Sequence, residues 1–298
     1  MSLIKCEHLR AYYLLALLAL ATGMCFLHGA ARNKHLPAAP AGYRWKISMD
    51  EEFNGNALDT SRWTTCYDWY DKTYQGCTNP GNDEQEWYNQ KQVKVQDGKL
   101  TLTAESKPIL GWNKTYEQTF PYTSGMISSG RPTPDGKPRW TATCGYYEAR
   151  MRSSAGKGIW PAFWLLPADR SWPPEIDIME GLGDKPAQPL MTYHWVNDNQ
   201  QPQKDTTIYP GTNKPDSTAF SIAAWHTYAI NWQPKRIDWY IDGRLVKTFS
   251  GAQATSKPME LILNLAVGGT LPGYPDNSTV FPATTEVDYI RVYTLNKK

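Results

Sequence analysis

This chain reads as an all-β sandwich of antiparallel sheets. From Tyr43 onward, short runs alternate apolar and polar residues. Turn signals recur about every eight to twelve residues, and no long stretch repeats apolar positions at helical spacing. Gln92–Gln96 and Lys99–Ala104 alternate on either side of Asp97-Gly98, the signature of a β-hairpin. Gly145–Arg152 alternates as a strand. Trp225–Trp232 and Arg236–Ile241 follow as strands, and Asp242-Gly243 turns the second into Arg244–Lys247. Glu260–Ala266 and Glu286–Tyr293 complete the set. Pro132–Arg139 and Asp198–Ser217 are the longest irregular stretches and are expected to shape the rim of a cleft. No linker follows residue 42, so residues 43–298 form one domain.

The N-terminus carries an export pattern. Lys5 and Arg10 precede an apolar run from Ala11, and Gly29-Ala30-Ala31 offers a cleavage point, so residues 1–31 read as a signal peptide. The apolar run continues to about Leu27, which leaves an uncleaved N-terminal membrane anchor as the alternative. Cys25 follows Met24, an unfavourable context for a lipoprotein site. Residues 32–42 read as a linker. The expected location is secreted or periplasmic, with membrane association only if the N-terminal segment is retained.

Cleavage removes Cys6 and Cys25 and leaves Cys66, Cys77 and Cys144. Cys66 and Cys77 bracket the turn-rich stretch Asp68–Gly76 and are expected to form a disulfide in an oxidising compartment. Cys144 is then a free, buried thiol. Scattered cysteines without a CxxC pair make a poor metal site, and none has a His in a recognisable partner motif.

Thirteen Trp and eighteen Tyr stand against seven Phe. Such rings combine an apolar face with a polar handle and suit sugar faces, although any β-rich secreted protein can carry them. A net charge of +2 without a basic run gives nucleic acid no electrostatic footprint.

The most informative stretch is Glu175-Ile-Asp177-Ile-Met-Glu180. Carboxylates repel, so a fold has little reason to crowd three into six residues. Chemistry that needs one ionised and one protonated carboxyl beside the same bond does have a reason. Alternation puts Glu175 and Asp177 on one face and Ile176 and Ile178 on the other. Strict alternation would send Glu180 to the apolar face. A β-bulge around Ile178–Met179 returns it to the acidic one. The plainer alternative is an edge strand with a solvated acidic face, which sits badly with Trp160 and Trp164 just upstream.

The ordered motifs extend well beyond this hexad. They include Asp50-Glu-Glu-Phe-Asn-Gly, Asp83-Glu-Gln-Glu-Trp-Tyr, Asp97-Gly-Lys-Leu and Gly158-Ile-Trp-Pro-Ala-Phe-Trp-Leu-Leu-Pro. Tyr240-Ile-Asp-Gly, Leu263-Asn-Leu-Ala-Val-Gly-Gly and Val287-Asp-Tyr-Ile-Arg-Val-Tyr complete them. With them the chain resembles glycoside hydrolase family 16 over almost everything after the linker. The resemblance implies a concanavalin A-like β-jelly-roll whose concave face forms a sugar cleft, acting on a polysaccharide as a monomer without a catalytic cofactor. The ExDxxE form, the Met179-Glu-Gly context and Tyr193-His-Trp most resemble bacterial β-1,3- and mixed-linkage glucanases.

By resemblance Glu175 is the nucleophile, Glu180 the general acid/base, and Asp177 holds Glu175 in place. Residues two apart on a strand stand about 6.5–7 Å apart. Leaning Glu side chains then allow the separation of about 5–5.5 Å used by retaining glycosidases. Trp160 is read as a stacking platform, and Trp164 as either platform or core. His194 is read as reaching the acid/base from the neighbouring strand, with Trp195 facing away. Glu86 and Asn89 match a segment that contributes to substrate binding in relatives. Trp112 and Tyr116 are rim platforms or plain loop aromatics. A structural calcium is implied at the carbonyls of Glu52 and Gly98 with the Asp288 side chain, the alternative being an empty site. The same scaffold on a galactan or bacterial exopolysaccharide is the second reading. No Arg/Lys cluster is apparent near the catalytic strand to favour sulfate. A non-catalytic carbohydrate-binding protein is the third, and retention of all three acids argues against it.

Overall fold

The computed structural model describes residues 35–67, 77–113, 116–210 and 220–298. The expected signal or anchor (1–31), the start of the linker, the stretch Asp68–Gly76 and the end of Asp198–Ser217 lie outside the described residues. The chain divides between Ala38 and Ala39, and the second unit, Ala39–Lys298, contains every strand.

Two antiparallel sheets pack face to face. The eight-stranded sheet runs Arg244–Ser250, Arg236–Ile241, His226–Gln233, Gly145–Ser153, Ala283–Lys297, Lys99–Ala104 and Val93–Gln96, and Tyr43–Glu51 also pairs with Ala283–Lys297. The six-stranded sheet runs Pro202–Ile208, Leu190–Val196, Glu175–Glu180, Ile159–Pro167, Met259–Val267 and Met126–Ser128. Among the described residues the helical pieces are two 3-10 turns, Pro80–Asn82 and Gln90–Gln92. None of the described helices is long and apolar enough to cross a membrane.

The core lies between the sheets. Ile159, Phe163, Leu165, Ile176, Ile178 and Met179 point inward from the smaller sheet, against Tyr147, Met151, Ile230, Trp232, Trp239 and Ile290 of the larger. Burying each such side chain contributes about 1.5–3 kcal/mol. That one-sided burial is what imposes the two-residue apolar period on the sequence. Asp97 and Gly98 both take positive φ, 54° and 70°, as a two-residue hairpin turn between right-twisted strands requires.

Three expectations change. Asp198–Ser217 is not irregular throughout, because Pro202–Ile208 is an edge strand. Its polar composition hides it: most of its residues are exposed, and Pro202 opens it where no ladder donor is needed. Trp112 and Tyr116 are not rim platforms. They sit on a separate hairpin, Ile109–Asn113 with Tyr116–Phe120, and neither lines the cleft on the smaller sheet. Gly111 of that hairpin presses on the Trp87 ring, with no room for a Cβ. Cys144 is free, as expected, but only half-buried, and burial pushes its thiol up to about 11. Cys66 and Cys77 are disulfide-bonded with Cα atoms 4.9 Å apart.

Candidate active site

The site is built on the Glu175–Glu180 strand. On one side Asp177 pairs with Thr192 and Glu180 with Leu190, so three residues are spanned against two on the partner. On the other, Asp177 pairs with Trp164, Met179 with Phe163 and Glu180 with Ala162, leaving Ile178 over. The extra residue is a β-bulge. Ile178 and Met179 are therefore both buried in the core at 1 % exposure, and Glu175, Asp177 and Glu180 all face one cleft. The register sets Glu175 opposite His194 and Glu180 opposite Leu190, four partner positions apart. The sequence alone suggests a step of two. The two glutamates can thus approach only by leaning toward Asp177, which sits between them.

Their contacts position them. Trp172 Nε1 donates to Glu175 Oε2 at 2.7 Å. Thr192 Oγ1 donates to Glu180 Oε2 at 3.2 Å. His194, expected to reach Glu180, lies instead beside the other two acids, because the register sets it opposite Glu175: its Nε2 is 3.3 Å from Asp177 Oδ2 and 3.9 Å from Glu175 Oε1. The Asp177 carbonyl accepts the indole N–H of Trp239, from the opposite sheet, at 2.8 Å.

Burial raises all three carboxyls. Glu175 is pushed up to about 8, by burial first and then by the charge of Asp177, with His194 and the Trp172 N–H opposing. Asp177 is held well above the ordinary carboxylate range by burial first and then by Glu180. Glu180 is raised by burial first and then by Glu175, while His194 and the Thr192 hydroxyl pull it back. The cluster therefore keeps at least one proton near neutrality, and mutual repulsion decides which oxygens hold it.

The cleft encloses about 900 Å³ and crosses the strands from Lys204 and Thr206 on the edge strand to Asn264 and Glu260. Trp160 and Trp164 both line it, yet they are only 7 % and 8 % exposed. Trp164 spends its N–H on Asn264 Oδ1 at 2.8 Å and packs edge-on against Tyr67, so it is cleft floor and core together. The buried Trp160 N–H makes no hydrogen bond of good geometry but faces Glu180, whose carboxyl it helps hold down. The open ring is Trp172, 57 % exposed beside His194. Sequence reasoning does not single it out, although its place three residues before Glu175 is an available signal. His194 faces the cleft, while Trp195 packs against Tyr193 and Phe249 on the other face.

Glu86 and Asn89 do not reach the cleft. Glu86 is fully buried and accepts the Val267 N–H at 2.7 Å, and its neighbour Glu84 lines the wall instead. Asn89 caps the Gln90–Gln92 turn through Lys91 N. Glu84 and Glu86 lie in one stretch but at different depths, so the sequence match falls on the wrong acid. The fold also brings Arg170 and Lys204 to the cleft from segments more than thirty residues apart in sequence. Both cations are absent from a reading of the catalytic strand alone, and Arg170 Nη2 donates to the Pro134 carbonyl at 2.7 Å.

The calcium donors fare differently. Asp288 Oδ2 lies 2.6 Å from Arg150 Nη1, and the Glu52 carboxylate is held by Arg291. The Arg150 guanidinium thus already pairs with the only side-chain donor of the set. A calcium ion held by the Glu52 and Gly98 carbonyls with Asp288 would have to displace this guanidinium.

Three cleft-facing acids on a bulged strand of a two-sheet sandwich form the kind of arrangement that two-carboxylate chemistry on a glycosidic bond requires. The family model for Glycosyl hydrolases family 16 matches residues 81–291, and the chain belongs to this family. Among curated proteins it is similar to the endo-1,3-1,4-beta-glycanase EglC of Rhizobium meliloti (strain 1021), 31% identical over 84% of this chain and 52% of that protein. It is also similar to the beta-glucanase of Rhodothermus marinus, 30% identical over 90% of each. The chain spans about half the length of the two Rhizobium relatives it matches. Among solved structures, the laminarinase catalytic domain of Thermotoga maritima MSB8 superposes with a TM-score of 0.67 at 30% identity, over 84% of this chain and 98% of that one. The endo-beta-1,3-glucanase of Pyrococcus furiosus gives 0.67 at 31%, over 87% and 97%.

Proposed function

We propose that this chain is an endo-acting glycoside hydrolase that cuts a β-1,3 or mixed β-1,3-1,4 glucan with retention of anomeric configuration. The observation that carries the reading is the bulge that turns Glu175 and Glu180 onto the same wall with Asp177 between them. In the first step a Glu175 carboxylate oxygen attacks the anomeric carbon while Glu180 gives its proton to the leaving glycosidic oxygen. In the second, Glu180 takes a proton from water, whose oxygen displaces Glu175 from the sugar. Burial and mutual repulsion keep a proton within the Glu175–Asp177–Glu180 cluster, and the reaction starts from the state in which Glu175 is the anion and Glu180 holds the proton. The Trp172 N–H on Glu175 favours the same ionised form. Carboxyl chemistry of this kind requires no cofactor.

The named activities of EglC and of the Rhodothermus, Thermotoga and Pyrococcus proteins support the glucan substrate. A cleft open across five strands supports cutting within a chain. The N-terminal pattern and the Cys66–Cys77 disulfide support an exported protein. All three acids come from one chain, which supports action as a monomer. A second reading, an anionic polysaccharide, is favoured by Arg170 and Lys204 in the cleft. The test is a panel of laminarin, barley β-glucan, lichenan, agarose, carrageenan and an acidic exopolysaccharide, with product sizing and proton NMR of the first product. Oligosaccharides released from the glucans, appearing first as the β-anomer, are expected. An initial α-anomer excludes the double displacement. Cleavage of the acidic polymer alone replaces the glucan reading with the second.

A further inference from the structure

The three acids are bounded from below by a charge that the reaction scheme does not use. Lys247 lies on Arg244–Ser250, the outer strand of the larger sheet, and reaches across the sandwich to the underside of the site sheet. Its side chain is only 2 % exposed. Nζ donates to the carbonyl oxygens of Met191 at 3.2 Å and Asp205 at 2.5 Å, and lies 3.2 Å from Asp205 Oδ1. An ammonium has three donors and this slot offers three acceptors, so the slot holds the charged form. The Trp239 ring lies beside it, 5.2 Å from centroid to Nζ. That same indole donates to the Asp177 carbonyl at 2.8 Å.

The two strands that receive the ammonium carry parts of the site. Met191 adjoins Thr192, which bonds Glu180 and pairs with Asp177. Asp205 lies between Lys204 and Thr206, which line the cleft. Burying an ammonium is costly even beside the half-exposed Asp205 carboxylate, and packing alone would be met by a Met or Leu of similar length. A retained ammonium therefore calls for an electrostatic reason. The charged groups facing Asp177 are Glu175, Glu180 and His194 from the cleft side and Lys247 from the core side. Those facing Lys247 are Asp205 and Asp177. Burial dominates the proton affinity of both Asp177 and Lys247, and each charge favours the ionised form of the other.

We propose that Lys247 is a positioning residue for the hydrolysis. Its buried cation offsets part of the negative charge of Glu175, Asp177 and Glu180, and it ties the edge strand Pro202–Ile208 to the wall that carries Thr192. This rests on the reading of those acids as the catalytic set. The test is Lys247→Met, assayed as kcat/KM against pH on whichever polysaccharide the unaltered protein cleaves. Losing the cation is expected to move both limbs of the profile to higher pH by roughly 0.5–1 unit. A purely structural lysine would lower Tm and turnover without moving the limbs, and unmoved limbs in a folded variant overturn the proposal. Where Lys247→Met does not fold, Lys247→Gln serves, because its amide can still donate to the Met191 and Asp205 carbonyls while the charge is gone. Its limbs should likewise rise by roughly 0.5–1 unit, and limbs that stay or fall overturn the proposal. The same shifts should appear in a carbon-13 NMR titration of labelled Glu and Asp carboxyls. That readout decides the role of Lys247 even where no polysaccharide is cleaved, an outcome that would sink the hydrolase reading alone.

Discussion

Replacing Glu175 with Gln should make the protein more stable and nearly inactive. Glu175 has an ordinary value of 4.5 and is pushed up to about 8 in the fold, mainly by burial. Between those values the folded state binds a proton that the unfolded chain has released. Stability is therefore complete below about pH 4.5 and declines as pH rises through about 8. At pH 7 the shift opposes folding by up to about 3 kcal/mol, at about 1.4 kcal/mol per unit. The Gln carbonyl keeps the hydrogen bond from Trp172, but its NH2 must be accommodated beside Asp177. A net gain of about 1–2 kcal/mol at pH 7 is expected, or about 3–6 °C in Tm for a domain of this size. The gain should vanish near pH 4 and be largest above pH 8. Calorimetry of both proteins at pH 4.5, 7 and 8.5, paired with turnover on the cleaved polysaccharide, reads both effects. Turnover should fall at least about a thousandfold. A variant no more stable than the parent at pH 7 and 8.5 would refute the argument that burying the Glu175 carboxyl costs the fold stability once the unfolded chain can ionise it.

Trp172→Phe keeps a ring and removes the N–H on Glu175, so the acidic limb of the kcat/KM profile should move to higher pH. Trp172→Ala should also raise KM about two- to tenfold through loss of an exposed stacking face, and an unchanged KM would remove Trp172 from the binding surface. Trp164→Ala should cost about 3–5 kcal/mol in a denaturant titration, because that ring is cleft floor and core at once; a loss under about 1 kcal/mol would show it to be dispensable packing. Adding a chelator or millimolar calcium should change Tm by less than about 1 °C, since Arg150 already holds Asp288. A rise of several degrees with calcium would show that the guanidinium gives way to a metal.

Much of this protein is legible from residue order. The period-two runs, the Asp97-Gly98 turn and the hexad with its surplus residue depend on neighbours in the chain. Each can be read because local geometry forces it: a strand with one face in the core has nowhere else to put Ile176, Ile178 and Met179. The disulfide partners are likewise legible from the stretch they bracket. Depth and distance are not. Glu84 and Glu86 look equivalent in sequence, but only Glu84 reaches the cleft, because the layer that buries Glu86 is assembled from Val267 and its neighbours far along the chain. The edge strand Pro202–Ile208 is polar on its exposed face and carries no strong period, so pairing with Leu190–Val196 alone makes it a strand.

Sequence by itself determined the fold class and the three acids, because alternation and one extra residue are local facts. Tertiary structure decided the charge around them. Lys247 is some seventy residues from Asp177 along the chain yet lies beneath its strand, and Arg150 from another strand occupies Asp288. Electrostatic energy depends on separation in space and on burial, neither of which chain order records.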